Sequence, residues 1–141
     1  MSTKPSAKTG QILLVEDNMG DIVLLREALR QSGVALNLNV VTDGGDALDY
    51  LGGEGKYAQA TQPDFVLLDL NLPRMDGRAF LRRLRSQPKL GEMPVVILTS
   101  SRLESDMREM EDLRISGYLV KPADLKGFQE LVKRLWTFWQ R

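Results

Sequence analysis

The stretch DFVLLDLNLPRMDG, residues 64–77, decides the fold of this chain. Its apolar run from Phe65 to Leu68 has the length and composition of a buried strand, and the carboxylate of Asp69 follows the run directly. Burying an ionised carboxylate without compensation is costly. We therefore expect Asp69 to reach water, to contact a cation or to lie at the surface.

Four further short apolar runs occur along the chain: ILLV from Ile12, LNLNVV from Leu36, PVVILT from Pro94 and GYLV from Gly117. Their length and β-branched content favour strands, and helical patterns alternate with them five times. Strands that are apolar throughout and separated by helices are typical of a parallel sheet covered on both faces. The sequence thus predicts an α/β domain with a doubly wound, five-stranded parallel sheet and five helices.

The length and charge of the chain limit its organisation and its partners. At 141 residues it suits one domain, with residues 1–9 as a short disordered lead-in, 10–141 as the folded domain and no separate output domain. The 19 basic residues balance the 19 acidic residues, which disfavours a nucleic-acid partner. No segment has the apolar length of a signal peptide or a membrane span, so we expect a cytoplasmic protein that does not associate with membranes.

Two residue types are absent from the sequence. The lack of cysteine excludes disulfides and thiolate metal sites. The lack of histidine excludes Ser-His-Asp triads, His-ligated zinc and a phosphohistidine on this chain. Any metal site must therefore be built from oxygen ligands.

Polar side chains end four of the five predicted strands. Glu16 and Asp17 follow the first strand, Asp69 follows the third, Thr99 ends the fourth and Lys121 follows the fifth. The carboxyl ends of parallel strands lie along one edge of an open sheet, where such folds bind their ligands. We therefore expect these side chains to meet in one pocket.

The residue types in that pocket indicate a particular chemistry. Three carboxylates repel one another and imply a bound cation, for which oxygen ligands favour Mg²⁺. A lysine beside a metal ion is repelled unless an anion lies between them, and a phosphoryl group would satisfy the metal, the lysine and a threonine hydroxyl together. Each residue alone has an ordinary alternative: a first-turn acid pair, a solvated loop carboxylate, an N-cap or a surface lysine. Their occurrence together favours a site.

In this order the motifs ILLVED, VLLDLNLPRMDG, VVILTSS and GYLVKP resemble the receiver domain of two-component response regulators, over nearly the whole chain. This resemblance implies the flavodoxin-like receiver fold with strand order 2-1-3-4-5. The long connection YLGGEGKYAQATQPD and the tail RLWTFWQR resemble those of the small single-domain regulators of bacterial and cyanobacterial phytochromes.

The resemblance implies roles for the acidic residues. Asp69 would be the phosphoacceptor, taking a phosphoryl group from a sensor histidine kinase, which could be a bacteriophytochrome, or from a phosphotransfer protein. Mg²⁺ would be bound by Glu16, Asp17, Asp69 and the backbone carbonyl of Asn71. The chain would be a signalling phosphoprotein of a light-sensing pathway rather than an enzyme, catalysing only its own phosphorylation and dephosphorylation.

The resemblance also implies roles for residues of the last two strands. Thr99 and Lys121 would contact the phosphoryl oxygens, and a cis peptide would join Lys121 to Pro122. Thr99 and Tyr118 would form the conformational switch. The alternative for Tyr118 is an ordinary half-buried strand aromatic.

The C-terminal helix carries an apolar stripe about 160° wide, whereas a one-sided surface helix needs about 100°. We expect the flank with Trp136, Phe138 and Trp139 to form a partner surface, in a homodimer through the fifth strand and the fifth helix. The alternative is a half-exposed aromatic end with no partner.

Two other functions remain open. The chain could be a degenerate receiver, a binding platform that works without phosphorylation. It could also be a phosphatase with an aspartyl nucleophile, although haloacid-dehalogenase enzymes place a second acid where this chain has Asn71.

Overall fold

The computed structural model describes residues 9–72, 74–100, 108 and 111–140. All five predicted strands are confirmed, and they form one parallel sheet in the order β2-β1-β3-β4-β5. The strands are β1 Gly10–Val15, β2 Leu36–Val41, β3 Phe65–Leu68, β4 Val95–Thr99 and β5 Gly117–Val120. The predicted sheet order is therefore confirmed as well.

The described ranges contain four α-helices, where the sequence predicted five. They are α1 Met19–Ser32, α2 Gly44–Gly52, α3 Gly77–Arg85 and α4 Leu125–Gln140. The helix predicted before β5 falls mainly on residues 101–107, 109 and 110, outside the described residues, as does most of the predicted N-terminal lead-in. Within the same ranges, no helix has the length and apolar composition needed to cross a membrane.

Helices cover both faces of the sheet, as a doubly wound fold requires. Along β1, Leu13 and Val15 face one apolar layer, and Ile12 and Leu14 face the other. The first layer is completed by α2 and α3, and the second by α1 and α4. Because the body of the sheet is closed by helices on both sides, ligands can approach it at its edges.

Short polar side chains begin the helices that follow the first three strands. Asn18, Asp43 and Asp76 each accept a hydrogen bond from the backbone N–H three residues further on, at 2.8 to 2.9 Å. This is the N-cap contact, which satisfies an N–H that the helix itself leaves without a partner. The caps fix where the chain turns at the carboxyl edge of the sheet.

Arg85, the last residue of α3, ties the helix to two other parts of the chain. Its guanidinium donates to the backbone carbonyls of Gly91 and Met93, before β4, at 3.0 and 2.7 Å. It also donates to those of Leu113 and Arg114, before β5, at 2.8 and 3.1 Å. One side chain therefore joins the end of α3 to the segments that enter the last two strands.

The aromatic residues near the end of α4 are half-buried within their own chain. Phe138 packs edge-on against Phe65 of β3, with 4.8 Å between ring centroids. The Trp139 indole lies so close to Gly10 that a Cβ there would come within 2.9 Å of it. Trp136 borders a cavity between α1 and α4. The second apolar layer thus covers part of the surplus apolar width of α4, and the homodimer stays a prediction.

Candidate functional site

The predicted site residues gather at the carboxyl edge of the sheet. Glu16, Asp69 and Thr99 are buried, with exposed fractions of 1%, 4% and 0%, whereas Asp17 is exposed. Carboxylate oxygens of Glu16, Asp17 and Asp69 all lie within 4.8 Å of one another. Lys121 reaches the same place from the end of β5, with its Nζ 3.1 Å from Asp69 Oδ2.

Glu16 is the most buried acid of the site. Its Oε2 accepts the backbone N–H of Asn18 at 3.1 Å. Its Oε1 lies 2.8 Å from Lys121 Nζ, but among the described residues it has no aligned hydrogen bond. Burial raises the pKa of Glu16 to about 7, and the charge of Asp69 adds to this while Lys121 opposes it.

These acids fit a hard divalent cation. Three carboxylates of the described residues offer oxygens at the spacing a metal ion needs, and Oε1 of one of them, Glu16, is buried without an aligned hydrogen bond. Oxygen donors are the ligands that Mg²⁺ and similar ions prefer. A cation would also relieve the cost of ionising a buried carboxylate.

Lys121 is surrounded by carboxylates. Its Nζ lies 2.8 Å from Glu16 Oε1, 2.8 Å from Asp21 Oδ2 and 3.1 Å from Asp69 Oδ2. Burial alone would lower the pKa of Lys121, but its contacts with these three carboxylates outweigh burial and raise the pKa above its ordinary value. The ammonium is therefore held in its charged form beside Asp69.

The Asp69 carboxylate is oriented from two sides. Its Oδ1 accepts the backbone N–H of Asn71 at 3.0 Å, and its Oδ2 faces Lys121. The side-chain amide of Asn71 donates to Thr99 Oγ1 at 3.4 Å. The predicted phosphoacceptor, the threonine and the lysine thus lie in one connected set of polar contacts.

Gly77 allows α3 to begin directly beside the site. Its N–H donates to the Leu70 carbonyl at 2.9 Å. A Cβ at this position would lie 2.6 Å from both the carbonyl oxygen of Asp69 and the Cα of Leu70, closer than side-chain atoms approach a backbone. The absence of a side chain at Gly77 therefore lets the loop after β3 close tightly.

Other predicted features have mixed outcomes. Tyr118 lies half-buried on β5 against the first apolar layer, and its switch role stays a prediction, as does the metal-ligand role of the Asn71 carbonyl. The prediction of a cis peptide between Lys121 and Pro122 is wrong, because the described residues contain no cis peptide bond. Even before proline, the trans form is intrinsically favoured by about 0.5–1 kcal/mol.

Asp21 contacts Lys121 at the site but was not among the residues predicted from the sequence. An acid in the first turn of a helix is commonplace, because it interacts favourably with the helix dipole, and this explains its being overlooked. A signal was nevertheless available: Asp21 lies four residues after Asp17, on the helix that begins at the site.

Known proteins resemble this chain over most of its length. Residues 12–134 match the response regulator receiver domain. Response regulator Rcp1 of Synechocystis sp. is 38% identical over 128 residues, which cover 91% of this chain and 87% of Rcp1.

Solved structures agree with this match. The phosphorylated cyanobacterial phytochrome response regulator RcpA matches with a TM-score of 0.86 and 44% identity, over 94% of this chain and 95% of that one. The Mn²⁺-bound form of Rcp1 matches with a TM-score of 0.82 and 38% identity, over 92% and 94% of the two chains. The resemblance to phytochrome regulators is confirmed, and the chain belongs to the response regulator receiver domain family of two-component signalling proteins.

Proposed function

We propose that this chain accepts a phosphoryl group on Asp69, with Mg²⁺, from a sensor histidine kinase or a phosphotransfer protein. The observation that carries the proposal is the placement of Asp69: it is buried, 3.1 Å from Lys121, and within 4.8 Å of Glu16 and Asp17. The likeness to phytochrome regulators, one of them solved in phosphorylated form, supports a phytochrome kinase as the donor.

The proposed reaction is a phosphoryl transfer between two proteins. A carboxylate oxygen of Asp69 attacks the phosphorus of the donor's phosphohistidine. As the new O–P bond forms, the P–N bond breaks and its electron pair returns to the imidazole nitrogen. Asp69 has no proton to lose, because it reacts as the carboxylate. The products are an aspartyl phosphate on this chain and a free histidine on the donor.

The chain's own residues would act by positioning and by charge. Charge spreads over the phosphoryl oxygens in the transition state, so the Lys121 ammonium and the Thr99 hydroxyl would stabilise it there. The N–H of Asn71 holds one carboxylate oxygen in place. A Mg²⁺ ion held by Glu16, Asp17, Asp69 and the Asn71 carbonyl would supply further positive charge against the same oxygens.

Switching would use the two strands at the end of the sheet. Thr99 and Tyr118 lie on the neighbouring strands β4 and β5, where Tyr118 pairs with Ile97, two residues before Thr99. A phosphoryl group can shift a conformational equilibrium only by binding one state better. In this proposal a hydrogen bond that the Thr99 hydroxyl donates to the phosphoryl group provides that preference, and a rotation of Tyr118 transmits the change to the surface.

Labelling with a small phosphodonor tests the phosphoacceptor. Wild-type protein incubated with radiolabelled acetyl phosphate and Mg²⁺ should gain close to one label per chain, sensitive to hydroxylamine as acyl phosphates are. Asp69→Asn should gain none. Asp76→Asn is the matched control, because it removes an acid from the same loop while asparagine still caps α3.

The outcome separates the alternatives. Label in Asp69→Asn would refute Asp69 as the acceptor. An unlabelled wild-type protein that also shows no Mg²⁺-dependent response to beryllofluoride would favour the binding platform.

A homodimer through β5 and α4 belongs to the same proposal. β5 is an edge strand whose four residues are only half-buried, and a groove of about 370 Å³ lies between it and α4, bordered by Leu119 and Phe138. Light scattering at high concentration, with and without beryllofluoride, should give twice the chain mass in at least one of the two states. A monomer mass in both states would refute the dimer.

A further inference from the structure

Lys121 contacts one carboxylate that lies outside the cluster of metal-ligand candidates. Asp21 Oδ2 is 2.8 Å from its Nζ, as close as any other acid of the site. The cluster consists of Glu16, Asp17 and Asp69. The side chains of Lys121 and Asp21 are only 13% and 21% exposed, so solvent screens this ion pair weakly.

The backbone N–H of each residue in this ion pair donates a hydrogen bond that fixes its position. The N–H of Asp21 donates to the side chain of Asn18, the N-cap of α1, at 2.9 Å. The N–H of Lys121 donates to the carbonyl of Thr99, at the end of β4, at 2.9 Å. The ion pair thus connects the first turn of α1 with the end of β5 across the site.

A metal ion and the Lys121 ammonium would compete for the same oxygens. The ammonium lies against Glu16 and Asp69, which are also two of the three acids that fit the metal. Positive charges repel each other, so an ion bound by the cluster would weaken the ammonium's contacts with the oxygens that it shares with the metal. Asp21 is then the carboxylate contact that Lys121 keeps.

We infer that Asp21 is a positioning residue, which holds the Lys121 ammonium beside Asp69 while a divalent cation occupies Glu16, Asp17 and Asp69. This inference rests on the proposed function of the site. Without Asp21 the ammonium is held only by the metal's own ligands. It then either competes with the cation or leaves the position from which it meets the phosphoryl group.

A double-mutant cycle measured by Mg²⁺ binding tests this role. The Mg²⁺ dissociation constant is measured by calorimetry for wild type, Asp21→Asn, Lys121→Met and the double variant. Removing Asp21 should weaken Mg²⁺ binding about tenfold when Lys121 is present. In the Lys121→Met background the same change should weaken binding less than about threefold, because no ammonium is left to compete.

Two variants serve as controls. Asp46→Asn removes an acid from the first turn of α2, so it matches the change in charge and helix dipole, and it should leave Mg²⁺ binding within about twofold of wild type. Asp21→Glu retains the carboxylate and should restore most of the affinity. If Asp21→Asn does not fold, as judged by circular dichroism, Asp21→Ser supplies the same loss of charge.

Labelling at saturating Mg²⁺ gives a second readout. Asp21→Asn should take up phosphate from acetyl phosphate about tenfold more slowly than wild type, because Lys121 is no longer held beside Asp69. If Asp21→Asn weakened Mg²⁺ binding equally in the wild-type and Lys121→Met backgrounds, the inference would be overturned. Asp21 would then act on the metal through its charge alone and not through Lys121. If wild type takes no label, the phosphoacceptor proposal fails, and the binding cycle still decides the role of Asp21.

Discussion

The interior of the sheet and the acids Glu16 and Asp69 at its carboxyl edge are buried to almost the same degree, but their side chains are of opposite kinds. The four residues of β3, Phe65 to Leu68, are at most 1% exposed and entirely apolar. One residue further on, Asp69 is 4% exposed and lies beside Glu16 and Lys121. Burial stabilises the fold in the interior, whereas at the edge it concentrates charge at a cost in stability. Substitutions in the two regions should therefore act differently.

The largest effect is expected in the interior. Phe80 on α3 is fully buried in the first apolar layer, and Phe80→Ala should lower the free energy of unfolding by about 3–5 kcal/mol through lost burial and a cavity. Urea unfolding measures this, with Phe80→Leu as a milder control. A loss under about 1 kcal/mol would mean that the layer collapses around the cavity and that the interior is not tightly packed.

At the edge the metal-free protein should lose stability as the pH rises. The pKa of Glu16 is about 7 in the folded protein, above its ordinary value of 4.5, chiefly because of burial. The folded state therefore binds this proton more tightly than the unfolded state. The stabilisation is complete below about pH 4.5 and is lost as the pH rises through 7, for a total of about 3 kcal/mol.

Glu16→Gln should remove this decline, because glutamine does not ionise. Urea unfolding between pH 4.5 and 8 in EDTA measures the free energy of unfolding. In the control Asp76→Asn this free energy should fall with pH as it does in wild type. If the free energy of unfolding fell equally with pH in wild type and Glu16→Gln, ionisation of Glu16 would not be the cause of the decline. Added Mg²⁺ should flatten the wild-type curve, since a bound cation favours the carboxylate.

A smaller effect is expected where the interior meets the edge. Gly77→Ala places a Cβ 2.6 Å from the Asp69 carbonyl oxygen and should destabilise the protein by about 1–3 kcal/mol. Gly45→Ala on α2 makes an ordinary contact at 3.4 Å and should instead gain about 0.5–1 kcal/mol from helix propensity. Thermal unfolding measures both effects. If the melting temperatures of the two variants shifted in the same direction from that of wild type, the contrast would be refuted.

The sheet was predictable from the sequence because its strands are short, apolar and followed by polar residues. Those polar ends were enough to locate Glu16, Asp69, Thr99 and Lys121 at one site, since parallel strands end at one edge. The acids' mutual spacing and the burial of Glu16 could not be predicted, because both depend on how the loops after β1 and β3 fold back.

The features that sequence reasoning missed depend on side-chain reach and on long-range packing. Asp21 looks like an ordinary first-turn acid until the position of Lys121 Nζ is known. The aromatic flank of α4 looked like a partner surface because its apolar stripe is wide, but Phe138 and Trp139 also pack on Phe65 and Gly10, far away in the sequence. Local periodicity carries no information about such contacts.

The contacts of Arg85 bear on how freely this fold can vary in evolution. Its guanidinium recognises four main-chain carbonyls, a feature that every amino acid presents. These contacts place no demand on the side chains of Gly91, Met93, Leu113 and Arg114. Arg85 thus anchors two segments without specifying their sequence, so selection on their side chains acts through other contacts, such as the packing of Met93 and Leu113 against the first apolar layer.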